Sequence, residues 1–200
     1  MAYLREREVR AAAEAASRST PLRKSATRMI EEARVVAERR TSFDIFLSHS
    51  IRDKELVLGA KVILERSGRT VYVDWIVDDD LDRGKVSGAT ADRLRRRMDQ
   101  CSALFYLHSV SSQSSRWMPW ELGFFDGSNG NVAVLPIVPD SGSKAFMNEE
   151  YLQLYPKVDL TDSSLATPTI RINQSRVLEQ GSFKRFSAWI NGSDKLRPTG

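Results

Sequence analysis

The pattern of apolar and polar residues changes near residue 42 and divides the chain into two parts. The first part is rich in Ala, Arg and Glu and contains no glycine. Its residue spacing predicts two helices, over residues 3–17 and 22–39. In the second part, short apolar runs alternate with amphipathic segments, which is typical of an α/β domain. We therefore predict a helical N-terminal extension, an α/β domain and a short tail, at residues 1–41, 42–192 and 193–200.

Five apolar runs of the second part predict β-strands. They are FDIFLS, TVYVD, SALFYLHS, NVAVLPIV and KVDL, at residues 43–48, 70–74, 102–109, 131–138 and 157–160. Helical spacing predicts α-helices over residues 53–66, 89–100, 117–127 and 182–190. Strands that alternate with helices through short connections form parallel sheets. The predicted fold class is α/β, with a flavodoxin-like parallel five-stranded sheet whose strands, numbered in chain order, lie in the order 2-1-3-4-5.

This strand order places the first and third strands side by side. In open α/β sheets, ligands bind in the crevice at the carboxyl ends of such strands. The first strand ends with Ser48, His49 and Ser50, and the third ends with His108 and Ser109. Ser48, His49, Ser50 and Ser109 are therefore candidate substrate-binding residues. The alternative is that these strand ends are polar only because they reach solvent.

The segment SRWMPWELGFFDG, residues 115–127, sets a carboxylate among aromatic rings. Proline is tolerated in the first turn of a helix, so Pro119 predicts a helix that begins near Trp117. Trp117 and Glu121 then lie one turn apart on one face, at the start of the helix that follows the third strand. The helix dipole favours an ionised Glu121, whereas the neighbouring indoles exclude water. Glu121 is a candidate catalytic residue, or else a glutamate near a helix start beside two core tryptophans.

One carboxylate beside an aromatic wall restricts the possible chemistry. Glycosidases generally need a second carboxyl group to protonate a poor leaving group. Nicotinamide leaves NAD⁺ from a cationic pyridinium and needs no proton. A single carboxylate can then stabilise the oxocarbenium-like transition state. These residues are chemically sufficient to cleave the N-glycosidic bond of NAD⁺, with NAD⁺ as the substrate and no cofactor expected.

The sequence lacks the residue patterns that several other classes of function require. No apolar run approaches the roughly 18–20 residues of a membrane span, and the N-terminus lacks a signal-peptide core, so we expect a cytoplasmic protein without a membrane partner. Neither a Gly-rich dinucleotide fingerprint nor a P-loop is present. One cysteine, Cys101, and two histidines exclude a cysteine-rich zinc site, and we expect no metal site. Outside residues 1–41 the chain holds twenty basic and twenty acidic residues, so nucleic acid is not an expected partner.

Two segments resemble bacterial Toll/interleukin-1 receptor (TIR) domains. FDIFLSHSIRDK resembles their first strand and loop, and SSRWMPWELGFFDG resembles their Trp-x-x-x-Glu segment, within a match over residues 43–138. The resemblance implies a flavodoxin-like fold and, in the enzymatic members, cleavage of NAD⁺ to nicotinamide and ADP-ribose or a cyclic ADP-ribose signal. It assigns the catalytic glutamate to Glu121 and the base-stacking tryptophan to Trp117, and it places His49 and Ser50 on the nicotinamide side. Thoeris-type antiphage sensors are of similar size.

The loop after the second strand departs from the family. It begins VDWIVDDD, so the contacts of the family's loop do not transfer, and Trp75 is retained there as a substrate-binding candidate. Two alternatives to an NAD⁺-cleaving enzyme stay open, namely a non-catalytic TIR assembly module and an enzyme similar to nucleoside deoxyribosyltransferases. Self-association through the TIR domain or the N-terminal helices is also expected.

Overall fold

The computed structural model describes residues 3–18, 40–73, 88–141, 149–161, 166–173 and 183–192. Its helices are α1 (Glu6–Arg18), α2 (Lys54–Arg66), α3 (Gly88–Asp99), α4 (Trp117–Ser128) and α5 (Phe186–Asn191). Its strands are β1 (Leu4–Arg5), β2 (Phe43–Ser48), β3 (Val71–Tyr72), β4 (Cys101–His108), β5 (Val132–Val138), β6 (Lys157–Leu160), β7 (Ile170–Asn173) and β8 (Phe183–Arg185). Short 3-10 helices cover Ile51–Asp53, Ser112–Ser114 and Glu150–Leu154. The predicted helix over 22–39, the loop with Trp75 and the tail lie outside the described residues.

The central sheet has the predicted strand order. Its strands run β3-β2-β4-β5-β6, all parallel, which corresponds to 2-1-3-4-5 for the five predicted strands. Nearly every residue of β2, β4 and β5 is buried, as expected for parallel strands covered on both faces. The flavodoxin-like α/β fold is thus confirmed, and the carboxyl ends of β2 and β4 are neighbours.

Three further strands extend the sheet beyond the five predicted. β7 pairs antiparallel with β6, and β8 pairs antiparallel with β7. The predicted helix over 182–190 was wrong at its start, because residues Phe183–Arg185 form β8 and only the remainder forms α5. The third strand, β1, pairs in parallel with the end of β5.

The described part of the N-terminal extension packs against the α/β domain. Leu4, Val9 and Ala12 belong to the same buried cluster as the sheet residues. A Cβ atom at Gly59 of α2 would lie 1.9 Å from the carbonyl oxygen of Val9, so the two helices approach closely because α2 has a glycine there. The domain boundary at residue 41 stays a prediction, but the first helix of the extension shares the core of the domain.

Cys101 is buried, as the sequence predicted. Its thiol donates to the carbonyl oxygen of Arg97 at 3.2 Å. Burial raises the pKa of this thiol far above its usual range, so it remains protonated and unreactive.

Within the described ranges, no helix is both long enough and apolar enough to cross a lipid bilayer.

Candidate active site

The predicted catalytic residue meets a predicted substrate-binding residue at the end of β2. The Ser48 hydroxyl donates to Glu121 Oε2 at 2.6 Å, and neither side chain has exposed surface. A distance of 2.6 Å is typical of a hydroxyl that donates to a carboxylate. A buried carboxylate is costly unless it is hydrogen-bonded, and Ser48 provides one such bond. The strand order therefore brings together two candidates that are 73 residues apart in the chain.

His49 and Ser50 follow Ser48 and are also buried. His49 Nδ1 lies 2.9 Å from the carbonyl oxygen of Leu47, to which it donates. The Ser50 hydroxyl accepts from the backbone N–H of Arg52 at 3.4 Å and begins the 3-10 helix Ile51–Asp53. The backbone thus holds the imidazole of His49 in one orientation.

Ser109 connects the loops that follow β2 and β4. Its hydroxyl donates to Asp53 Oδ2 and accepts from the backbone N–H groups of Ser111 and Ser112, at 3.1 and 3.2 Å. The sequence predicted Ser109 as a substrate-binding residue but did not indicate Asp53. The DK that follows FLSHS was the available signal for Asp53, yet nothing in the sequence showed which residue its carboxylate would contact.

A second carboxylate contact involves His108, which the sequence placed at the crevice, and Glu149, which it did not indicate. His108 Nε2, at the end of β4, is hydrogen-bonded to Glu149 Oε2, and the His108 side chain is only 1% exposed. Glu149 immediately precedes the 3-10 helix Glu150–Leu154. The sequence indicates only a loop over this segment, and a glutamate 41 residues from its histidine leaves no local pattern.

Tyr106 of β4 pairs with Ser48 of β2 across the sheet. Its hydroxyl is 3.4 Å from that of Tyr151. Burial, the contact with Tyr151 and the negative charges of Glu149 and Glu121 raise the pKa of Tyr106 far above its usual range. Its ring stacks near that of His108, with centroids 6.3 Å apart. Since Ser48 contacts Glu121 and His108 contacts Glu149, Tyr106 and His108 lie on the face of β4 that is turned toward both carboxylates.

An aromatic wall lines α4. The Trp117 ring meets Trp120 edge-on with centroids 5.3 Å apart, and Trp120 stacks on Phe124 at 5.8 Å. The guanidinium of Arg95 lies 5.6 Å from the Trp120 ring. Trp117 itself is only 7% exposed. Its role in base stacking stays a prediction, and Trp75 lies outside the described residues.

An open cleft of about 330 Å³ lies between α1 and the start of α2. It is lined by Arg10 and residues 51–56. Asp53 belongs both to this cleft and to the pair with Ser109. Glu121 does not line the cleft and has no exposed surface, so a substrate can contact Glu121 only after the groups that cover this side chain move.

In the part of the chain that the structure describes, no group of three His, Cys, Asp or Glu side chains is suited to a metal ion.

Comparison with known proteins identifies the family. No family model matches the sequence. The chain is 47% identical over 167 residues to "Probable 3' cyclic ADP-D-ribose synthase ThsB'" of Bacillus cereus (strain MSX-D12), which covers 83% of this chain and 84% of that protein. It is also 27% identical over 88 residues to "Putative cyclic ADP-D-ribose synthase TIR2" of Cytobacillus dafuensis, across 44% of this chain and 23% of that protein. The first match extends well beyond the two motifs, and the chain therefore belongs to the Thoeris-type TIR protein family of ThsB'.

Proposed function

We propose that this protein is a TIR-domain enzyme that cleaves NAD⁺ and releases nicotinamide and a cyclic ADP-ribose as an antiphage signal. The observation that carries this proposal is the buried pair of Ser48, at the carboxyl end of β2, and Glu121, in the helix that follows β4. The name of the Bacillus relative, a probable 3' cyclic ADP-D-ribose synthase, supports both the reaction and the 3' isomer.

The geometry supplies what cleavage requires. As nicotinamide leaves with the electron pair of its bond to the ribose, positive charge develops on the ribose ring. The Glu121 carboxylate, oriented by Ser48, stabilises that charge. Its effect is greater in a buried site, because a fixed charge interacts more strongly where water is excluded.

The remaining candidates take substrate-binding roles in this proposal. His49 and Ser50 contact the nicotinamide side, Ser109 positions the loop after β4, and Trp117 stacks on a base. Trp75 is assigned to the same site from the loop after β3. NAD⁺ is the substrate, and the reaction needs no separate cofactor.

The test compares the wild-type protein with Glu121→Gln. This variant keeps the size of the side chain and an oxygen that accepts from Ser48, but it removes the charge. We expect nicotinamide release to fall roughly 10²-fold or more, while NAD⁺ still binds and the melting temperature does not drop. Nicotinamide and ADP-ribose products are quantified by liquid chromatography, with purified protein and with extracts of phage-challenged cells. Equal release by the two proteins would refute the role of Glu121, and no release by wild type under either condition would favour a non-catalytic assembly module.

Self-association in the cytoplasm belongs to the same proposal. Ile51 and Val110, which follow β2 and β4, are 50% and 62% exposed, and such apolar side chains favour contact with another protein surface. Light scattering of wild type against the double variant Ile51→Ser/Val110→Ser tests whether a second copy binds there. An unchanged mass would remove these residues from the interface.

A further inference from the structure

The cleavage step leaves the His108–Glu149 pair without a function. Nicotinamide departs without being protonated, so one carboxylate, Glu121, is sufficient for that step. Yet His108 is buried and hydrogen-bonded to the partly buried Glu149, and it lies two residues after Tyr106, the β4 residue that pairs with Ser48. A histidine held by a carboxylate is a common arrangement for a general base.

Ring closure needs a base even though cleavage does not. In the 3' isomer, the oxygen of a ribose hydroxyl forms the new bond to the carbon that nicotinamide has left. The O–H bond must break in that step, and its proton must go to an acceptor. Closure through an adenine nitrogen would need no such acceptor, because that nitrogen carries no proton.

We infer that His108, held by Glu149, accepts the proton from the hydroxyl that closes the ring. The inference rests on the proposed function and adds a second catalytic residue to it. With one proton on Nε2, His108 donates to Glu149, and Nδ1 takes the proton of the hydroxyl as the oxygen lone pair forms the bond to carbon. The resulting imidazolium is stabilised by the Glu149 carboxylate and later loses the proton to solvent. The sum is NAD⁺ to nicotinamide, cyclic ADP-ribose and one proton, with no other reactant.

The position of the pair fits this order of events. Tyr106 pairs with Ser48 across the sheet, so its side chain lies on the face where Ser48 contacts Glu121. The ring of His108 is stacked near that of Tyr106. Cleavage at Glu121 and proton transfer at His108 can therefore serve two parts of one folded NAD⁺ molecule. Burial of His108 also limits the access of water, whose attack would give linear ADP-ribose instead.

The test measures the ratio of cyclic to linear product for each molecule of nicotinamide released. This ratio does not depend on how much of the enzyme is folded, so a variant that only loses stability leaves it unchanged. We expect His108→Gln to lower the ratio roughly 10²-fold, with nicotinamide release retained. Glu149→Gln, which keeps a hydrogen bond to His108 but removes the charge, should lower the ratio by a smaller factor.

The matched control is Tyr155→Phe. The Tyr155 hydroxyl donates to Asp126 of α4 at 3.0 Å and thus holds the same segment in place without touching the pair. Its removal should leave the product ratio at the wild-type value. An NAD⁺ analogue that lacks the 3' hydroxyl of the adenosine ribose should give only linear product with every variant.

Each other outcome decides against the inference in a distinct way. An unchanged ratio in His108→Gln would show that the pair is only structural, or that it acts in the cleavage step. A higher ratio would show that His108 activates water instead of the hydroxyl. Wild-type protein that releases nicotinamide but forms only linear product would leave Glu121 as a catalytic residue and refute the role of His108. Wild-type protein that releases no nicotinamide would refute the proposed function itself.

Discussion

The Ser48 hydroxyl donates to Glu121 Oε2 at 2.6 Å, and this bond joins the end of β2 to the first turns of α4. Neither side chain has exposed surface. The hydroxyl satisfies part of the hydrogen-bonding capacity of a buried carboxylate, and it also fixes the direction in which that carboxylate faces. Its removal should therefore affect both the stability of the fold and the rate of NAD⁺ cleavage.

Ser48→Ala tests both effects. A hydrogen bond to a charged group contributes about 1.5–3 kcal/mol, so we expect a loss of that order in the free energy of unfolding and slower nicotinamide release. The matched control is Ser67→Ala, which removes a hydroxyl that donates to the carbonyl oxygen of Leu64 at the end of α2. Urea unfolding and nicotinamide release are measured for both variants.

A double-mutant cycle decides whether the two side chains act together. If Ser48 acts through the charge of Glu121, Ser48→Ala should have a much smaller effect on nicotinamide release in the Glu121→Gln background. Independent effects, or a Ser48→Ala protein that behaves like Ser67→Ala, would contradict the orienting role of Ser48.

Two substitutions of Trp117 distinguish a role in NAD⁺ binding from a role in packing. Its ring is only 7% exposed and meets Trp120 edge-on. Trp117→Ala should lower the free energy of unfolding by about 3–5 kcal/mol, because it removes a large buried ring. Trp117→Phe keeps an aromatic ring and should cost less stability. If Trp117 also stacks on a base, Trp117→Phe weakens NAD⁺ affinity, and calorimetric titration of a folded Trp117→Phe protein that binds normally would refute the stacking role.

The sequence predicted the parallel centre of the sheet because its strands are long apolar runs separated by helical spacing. The strand order alone then places Ser48 near Glu121, since β2 ends beside β4 and α4 begins soon after β4. Asp53 and Glu149 were different, because each lies in or beside a short 3-10 helix whose path the strand order does not determine. The short strands β1, β7 and β8 have two to four residues each, and such runs carry too little periodicity to identify.

A substitution at Gly59 tests whether α1 is part of the stable domain. A Cβ at this position would lie 1.9 Å from the carbonyl oxygen of Val9, so Gly59→Ala must push α1 away from α2. Overpacking of this kind costs about 1–3 kcal/mol, and we expect a loss of that order in the free energy of unfolding. Gly127→Ala is the control, because its added Cβ in α4 meets no atom within 4 Å and should be neutral or stabilising. Thermal melting that shows no difference between the two variants would mean that α1 is dispensable for the fold.

Lys157 makes the free energy of unfolding depend on pH, and its contribution can be measured separately from those of the other titrating groups. Its ammonium, at the start of β6, donates to the carbonyl oxygens of Leu152 and Tyr155 beside the candidate site. Burial lowers the pKa of Lys157 from its usual 10.5 to about 8. Between these two values the unfolded chain binds a proton that the folded chain does not, so the stability of the fold rises with pH across this interval. The gain is complete above the unfolded pKa and is lost as the pH falls through about 8.

Lys157→Met removes this titration and serves as the reference. Its loss of two hydrogen bonds shifts the free energy of unfolding by an amount that does not vary with pH, and all other titrating groups are shared with wild type. The difference between wild type and variant should therefore change in favour of wild type between about pH 8 and pH 10. Urea unfolding of both proteins at closely spaced pH values gives this difference directly. A difference that stays constant, or that changes in favour of the variant, would show that the Lys157 ammonium is not destabilised by its burial in the fold.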